Sequence, residues 1–222
     1  MLHFPAFCID NFYNNPDAIR EYALSLEYNN IGACQGRRTA PLHEINPEFS
    51  DTFAKQLLSV FYDMGRNDVQ WMIRSHFHLH RITDNSTFAK NTDETCHLAH
   101  KYKDFAPSYE APIPTAVHLD HNSFFSGVVY LNPIAEAHAG SAIYRVVENT
   151  NPVRIGNGDI EKETVVESAN FKQVYNRLVV FDGKSYHGRT GDNTQSERLT
   201  HVFFAHHIDA NIPTPLNRFK IL

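Results

Sequence analysis

The sequence predicts an all-β core with flanking helices, an α+β chain in which helices come first and strands follow. Three observations carry this: capped apolar-periodic segments before residue 69, a switch to two-residue alternation at Val69, and a series of short strand-like runs from there to about residue 210. The first helix is signalled by Asn15 as N-cap, Pro16 at the first helical position and Asp17 in the first turn. Ala18, Ile19, Tyr22, Ala23 and Leu26 then form one apolar stripe. A second helical pattern covers Pro47 to Tyr62, with Phe49, Phe53, Leu57, Val60 and Phe61 on one side. Between the two, Gly32, Gly36, Arg37, Arg38 and Pro41 read as an irregular connection.

From Val69 the side chains alternate. Trp71, Ile73, Ser75, Phe77 and Leu79 face one way, while Met72, Arg74, His76, His78 and His80 face the other. Three histidines on one row read most simply as solvated or cavity-wall residues, with substrate contact or an adventitious ion as the sharper reading. Residues 83 to 113 are polar and punctuated by proline, a length that usually marks a functional loop. His97 and His100 within it read as solvated. Phe124 to Leu131 is another strand ended by Asn132 and Pro133, followed by a glycine-led strand at Gly140 to Arg145. Residues 146 to 170 read as a second polar insertion and a candidate lid, and Arg177 to Phe181 as a buried strand broken by Asp182 and Gly183. Neither an internal repeat nor a low-complexity tract appears, so one domain over residues 1–222 is the economical reading, with a helical buttress at 1–68 and the β core at 69–210.

Composition narrows the function classes. Hydrophobic residues make up 42% and charged residues 20%, ordinary globular values. A net charge of −5 without a Lys/Arg cluster offers no electrostatic footprint for nucleic acid. Three cysteines (Cys8, Cys34 and Cys96) at unpatterned spacing argue against a disulfide framework and for a reducing, cytoplasmic location. No run approaches the roughly 20 apolar residues that span a bilayer, so a soluble protein without a membrane partner is expected. The 14 histidines are many for this length and direct attention to metal chemistry.

In Ala116 to Asp120, a strand of alternating character would point His118 and Asp120 the same way. A nitrogen and an oxygen donor on neighbouring positions supply two of the three ligands of a metal that keeps open positions. His187, in a small polar loop beside Gly188, is the candidate third ligand. Eleven positions on comes Arg198, with Thr200 on the same face of a further strand. Taken singly these residues mean little: His118 and Asp120 suit an ordinary strand pair or a turn cap, Arg198 a surface ion pair, and Tyr130 a core aromatic.

Their order is more specific. The pieces His118-Leu119-Asp120, Val128-Val129-Tyr130-Leu131-Asn132, Asn176 to Phe181 running to His187, and Arg198-Leu199-Thr200 resemble the Fe(II)/2-oxoglutarate-dependent oxygenases, in particular their prolyl 4-hydroxylase-like branch. The resemblance spans roughly residues 74 to 207. It implies a double-stranded β-helix, the cupin-like jelly roll, with the N-terminal helices packed on its major sheet. It further implies that His118, Asp120 and His187 are metal ligands and catalytic residues, and that 2-oxoglutarate chelates the iron. Arg198, Thr200 and Tyr130 would then hold the far carboxylate of that co-substrate, with dioxygen as the second co-substrate. In halogenating relatives a small residue replaces the carboxylate ligand; Asp120 therefore favours hydroxylation or a related oxidation, of a protein side chain, a peptide or a small metabolite. Arg145, Arg189 and the row His76, His78, His80 are candidates for touching that substrate. Two other classes stay open: a cupin-like metal enzyme that does not use 2-oxoglutarate, and a non-catalytic jelly-roll binding protein.

Overall fold

The computed structural model describes residues 6–29, 36–80, 117–120, 122–134, 139–147, 154–155, 159–160, 165–190 and 197–212. The elements in chain order are β1 (Ala6–Ile9), α1 (Pro16–Ser25), β2 (Arg37–Arg38), α2 (Leu42–Ile45), α3 (Pro47–Leu58), β3 (Val69–His80), β4 (Phe125–Tyr130), β5 (Gly140–Val146), β6 (Arg154–Ile155), β7 (Asp159–Ile160), β8 (Val165–Lys172), β9 (Leu178–Asp182), β10 (Tyr186–Thr190) and β11 (Arg198–Ala210). The cap residues behave as their chemistry dictates. Asn15 Oδ1 accepts from the Ala18 amide at 3.2 Å, and Asn46 Oδ1 accepts from the Phe49 amide at 3.0 Å, each ahead of a proline in the first turn.

A large sheet runs β1-β9-β4-β11-β3-β2, and a smaller one runs β10-β5-β8. His118 adds to the small sheet through an isolated antiparallel bridge to His187 on the free edge of β10. Going along the chain, β3 lies in the large sheet, His118 joins the small one, β4 returns to the large, β5 and β8 are in the small, β9 is in the large, β10 in the small, and β11 in the large. This alternation winds two chain turns into a double-stranded β-helix, the jelly roll expected.

Two-residue alternation decides what each face meets. On the outer face of the large sheet, Phe77, Leu79, Val129, Leu178, Val180, Leu199 and Phe203 pack with Phe53, Leu57 and Leu58 of α3. The inner faces meet through Tyr130, Val179 and Phe181 of the large sheet and Ile143 of the small one. Within the helix side sits a fully buried histidine, His201, whose ring lies 4.1 Å from that of Phe53 and whose Nδ1 takes the Tyr13 hydroxyl at 2.5 Å. Burial holds its pKa well below the usual imidazole range, with the neighbouring His76 adding to the effect. His201 is therefore a neutral core side chain.

The N-terminal segment is fastened to the strand ends that carry the inner-face residues. Asn176, at φ 60°, exchanges hydrogen bonds with the backbone of Tyr13, 2.8 Å in each direction, while its own amide donates to the Tyr130 carbonyl at 2.8 Å. Arg177 holds Asp10 bidentately at 2.6 and 2.9 Å, which lowers the Asp10 pKa.

Several expectations need correction. The second helix stops at Leu58, and Val60, expected on its buried side, is exposed. Ala18 is likewise exposed, so the first stripe begins at Ile19. The connection between the helices contains β2, paired to the edge of β3, and the 1–68 segment also contributes β1 to the large sheet. The insertion read over 146–170 overlaps β8 and the β6–β7 pair. The polar loop 83–113 with His97 and His100 lies outside the described residues, as do Cys34 and Cys96; Cys8 is a free, exposed thiol. Among the described residues, no helix is long and apolar enough to cross a membrane.

Phe53, 1% exposed, is the side chain that joins α3 to the sheet through Tyr13, His201 and Phe203. Phe53→Ala is expected to lower stability by about 3–5 kcal/mol. Urea unfolding should show this as a lower midpoint at unchanged slope.

Candidate functional site

The site is built on a single pair of reciprocal backbone hydrogen bonds. The His118 amide donates to the His187 carbonyl at 2.9 Å, and the His187 amide donates to the His118 carbonyl at 3.0 Å. Such a narrow antiparallel pair places the two side chains side by side on one face; the imidazole centroids are 4.5 Å apart. Regular strand structure does not extend to Asp120, contrary to the expectation for this segment. The chain turns there instead, the Asp120 amide donating to the Gly183 carbonyl at 3.0 Å and the Asp120 carbonyl accepting from the Ser123 amide at 2.8 Å. His187 differs in the opposite sense: it is not in a loop but on β10, opposite Ile143 of β5. Gly188 and two polar neighbours conceal a five-residue strand that borrows its burial from the sheet.

The three side chains converge. One ligand atom from each of His118, Asp120 and His187 lies within 4.8 Å of the others. Asp120 Oδ2 is 3.2 Å from His187 Nε2, and Asp120 Oδ1 is 3.7 Å from His118 Nε2. The protonation pattern suits a cation. Ser185 offers a carbonyl 2.8 Å from His187 Nδ1, and a carbonyl only accepts, so Nδ1 donates to it and Nε2 is the nitrogen turned to Asp120. Asp120 is pushed up by burial, but the His187 and His118 rings and a hydrogen bond from Ser126 outweigh this and hold it at about 2. It is a carboxylate throughout the neutral range. His187 is sealed against the Phe181 ring, centroids 4.0 Å apart, whereas the His118 side chain is 36% exposed, so the cluster opens on the His118 side. Two imidazoles and one carboxylate, with one open flank, can hold a divalent transition metal and leave positions free.

The large sheet supplies a second feature. Arg198 and Thr200 stand on the inner face of β11, opposite His80 and His78 of β3, and Thr200 is also opposite Tyr130 of β4. Arg198 is buried, its Nε donates to Gln173 Oε1 at 3.2 Å, and its guanidinium carbon stands 5.6 Å from the Tyr130 ring centre. Among the described residues no carboxylate pairs with it. Burial lowers its pKa from the ordinary guanidinium value, with Tyr130 opposing the shift. Among the described residues Thr200 Oγ1 is buried without a hydrogen-bond partner, while the Tyr130 hydroxyl is shared with Ser141 Oγ at 2.7 Å. A buried cation beside an unsatisfied hydroxyl is costly unless an anion completes it. The arrangement can accept a carboxylate.

Sequence reasoning named all six of these residues but missed their supports. Ser126, Ser141, Gln173 and the Ser185 carbonyl act through long-range pairing, and no local pattern distinguishes them. Of the substrate-contact candidates, Arg145 is exposed. Arg189 lies opposite Ser141 in the β10–β5 ladder, on the row of His187. His76, His78 and His80 share the inner face with Arg198 and Thr200.

No protein-family model and no curated protein matches this sequence. Solved structures do match in fold. HygX from Streptomyces hygroscopicus, crystallised with nickel and 2-oxoglutarate, is 12% identical over 90% of this chain and 81% of its own, with a TM-score of 0.54. SnoN, a non-heme α-ketoglutarate-dependent epimerase from nogalamycin biosynthesis, is 9% identical over 92% of this chain and 80% of its own, with a TM-score of 0.51. A Pseudomonas putida prolyl-4-hydroxylase is 16% identical over 90% of this chain and 91% of its own, with a TM-score of 0.45. The fold is therefore one found among iron- and 2-oxoglutarate-dependent oxygenases.

Ser126 donates to Asp120 Oδ2 and fixes the carboxylate. Ser126→Ala should weaken Mn(II) binding about 10–100-fold, the usual effect of removing such a support. Asp120→Ala should lose binding altogether. Calorimetric titration of metal-free protein checks both.

Proposed function

We propose that the protein is an Fe(II)/2-oxoglutarate-dependent dioxygenase that hydroxylates a C–H bond of a protein side chain, a peptide or a small metabolite. The observation that carries this reading is the buried Arg198 guanidinium, without a carboxylate among the described residues, next to the unsatisfied Thr200 hydroxyl. A metal enzyme that does not use 2-oxoglutarate has no need of that receptor. The donor chemistry of His118, Asp120 and His187 fits iron(II), and HygX is a precedent for one fold holding a metal and 2-oxoglutarate together.

Each residue then has a task. His118, Asp120 and His187 would hold the metal on one side, leaving adjacent positions for the chelating end of 2-oxoglutarate and for dioxygen. The bound iron supplies the oxidising chemistry, in which 2-oxoglutarate loses carbon dioxide to become succinate and the substrate gains a hydroxyl. Arg198 receives the far carboxylate through its planar fork, a geometry that lysine does not reproduce. Thr200 and Tyr130 add hydroxyl donors to the same oxygen atoms. The Ser185 carbonyl keeps His187 in the tautomer that presents Nε2, and Ser126 keeps Asp120 turned toward both imidazoles. Asp120 occupies a ligand position that would otherwise be open to halide, so hydroxylation is the outcome assigned.

Two measurements test the assignment. Succinate formation should require both Fe(II) and 2-oxoglutarate and vanish in His187→Ala. Arg198→Ala should weaken 2-oxoglutarate binding roughly a hundredfold or more, the consequence of losing about 3–5 kcal/mol with one partner of a buried charge pair. Metal binding without any affinity for 2-oxoglutarate would contradict the proposal and favour the cupin-like alternative.

A further inference from the structure

The inner face of the large sheet continues from Thr200 to the β2 edge and meets another cation there. Arg38 stands opposite His78 in the β2–β3 ladder, His78 opposite Thr200, and Thr200 opposite Tyr130. Directly opposed residues of antiparallel strands share a face. Arg38 is thus on the side of the sheet that carries Arg198 and Thr200. The chain reaches this position through Gly36 at φ 96°, where a Cβ would fall 2.6 Å from His78 Nε2 and 2.9 Å from the Leu79 carbonyl. Only glycine permits that approach.

Arg38 shares one feature with Arg198: among the described residues no carboxylate pairs with it. It is half-buried, and its buried Nε finds no hydrogen-bond partner among the described residues either. Beside it, His76 also has a buried Nε2 without a partner among the described residues, and its ring stacks on Phe204 with centroids 6.0 Å apart. Burial, with the Arg38 charge adding to it, drops the His76 pKa to about 3, so this imidazole is neutral and contributes hydrogen bonding rather than charge. The two arginines stand on strands two steps apart, roughly 10 Å across the sheet. A five-carbon co-substrate stretched from the metal to Arg198 leaves Arg38 without an anion among the described residues.

We propose that Arg38, with the His76 imidazole beside it, is a second oxyanion subsite that binds a carboxylate or phosphate group of the primary substrate. This rests on the assignment of Arg198 to the co-substrate. The substrate is accordingly an acidic molecule or an acidic side chain, anchored on the β2–β3 edge, with the apolar Phe204 face next to its anionic group.

The test uses the full chain loaded with Mn(II) and N-oxalylglycine, a 2-oxoglutarate analogue that fills the Arg198 site and does not turn over. Inorganic phosphate is titrated calorimetrically in one arm and acetate in the other, so that the tighter arm identifies the oxyanion. The expected result is one anion bound per chain, weakened at least tenfold in Arg38→Gln and partly restored in Arg38→Lys. Affinity for N-oxalylglycine and the thermal midpoint should stay as in the unaltered protein. Absence of binding in both arms, equal binding by Arg38→Gln, or loss of N-oxalylglycine affinity in Arg38→Gln would each overturn the subsite. If the unaltered protein fails to take up N-oxalylglycine, the co-substrate assignment falls separately. The phosphate and acetate titrations then decide Arg38 in an Arg198→Gln background by the same criteria.

Discussion

The two reciprocal hydrogen bonds between the backbones of His118 and His187 are the constraint on which the candidate centre depends. An antiparallel bridge fixes side-chain direction as well as distance, so the imidazoles are brought together by the main chain before any metal is considered. The turn after His118 then swings Asp120 back across the same opening, where Gly183 admits it. A Cβ at Gly183 would lie 2.9 Å from the Asp120 carbonyl oxygen and 2.1 Å from that of Ser123. The carboxylate is therefore placed by a turn packed on a glycine, and the imidazoles by a sheet edge.

The architecture divides the work between its two sheets. The small sheet and its bridge carry the donors that suit a metal, while the large sheet carries cations and hydroxyls on the inner face of β3, β4 and β11. This face is an unusual interior, since arginine is rarely buried without a carboxylate and Arg198 has none among the described residues. Its outer face is conventional, a helix-covered aromatic and aliphatic core around Phe53, Phe77 and Phe203. The Asn176 and Arg177 contacts to Tyr13 and Asp10 fasten the N-terminal segment to the strand end holding Tyr130.

Much of this was legible in the sequence, for identifiable reasons. The Asn-Pro caps of α1 and α3 are local chemistry, and the alternation of β3 assigns Phe77 and His78 to opposite faces without any tertiary knowledge. The order of the His118, Tyr130, His187 and Arg198 segments carried the family resemblance and with it the jelly roll. The strand β10 was not legible, because Gly188 and half-buried polar neighbours hide a pairing decided by β5. Nor was β2, a two-residue strand that exists only as the edge partner of β3. Ser126 and Gln173 are ordinary polar residues until the fold sets them against Asp120 and Arg198. Such contacts belong to topology and leave no periodic trace.

The central claim is that one cation and one dicarboxylate share the space between the sheets. The most direct measurement is a crystal structure of the protein grown anaerobically with Mn(II) and 2-oxoglutarate, with anomalous scattering used to locate the metal. The account predicts a single metal peak bonded to His118, Asp120 and His187, and the distal carboxylate of 2-oxoglutarate on Arg198. A metal bound elsewhere, or an occupied metal site with the Arg198 guanidinium receiving no carboxylate, would contradict it.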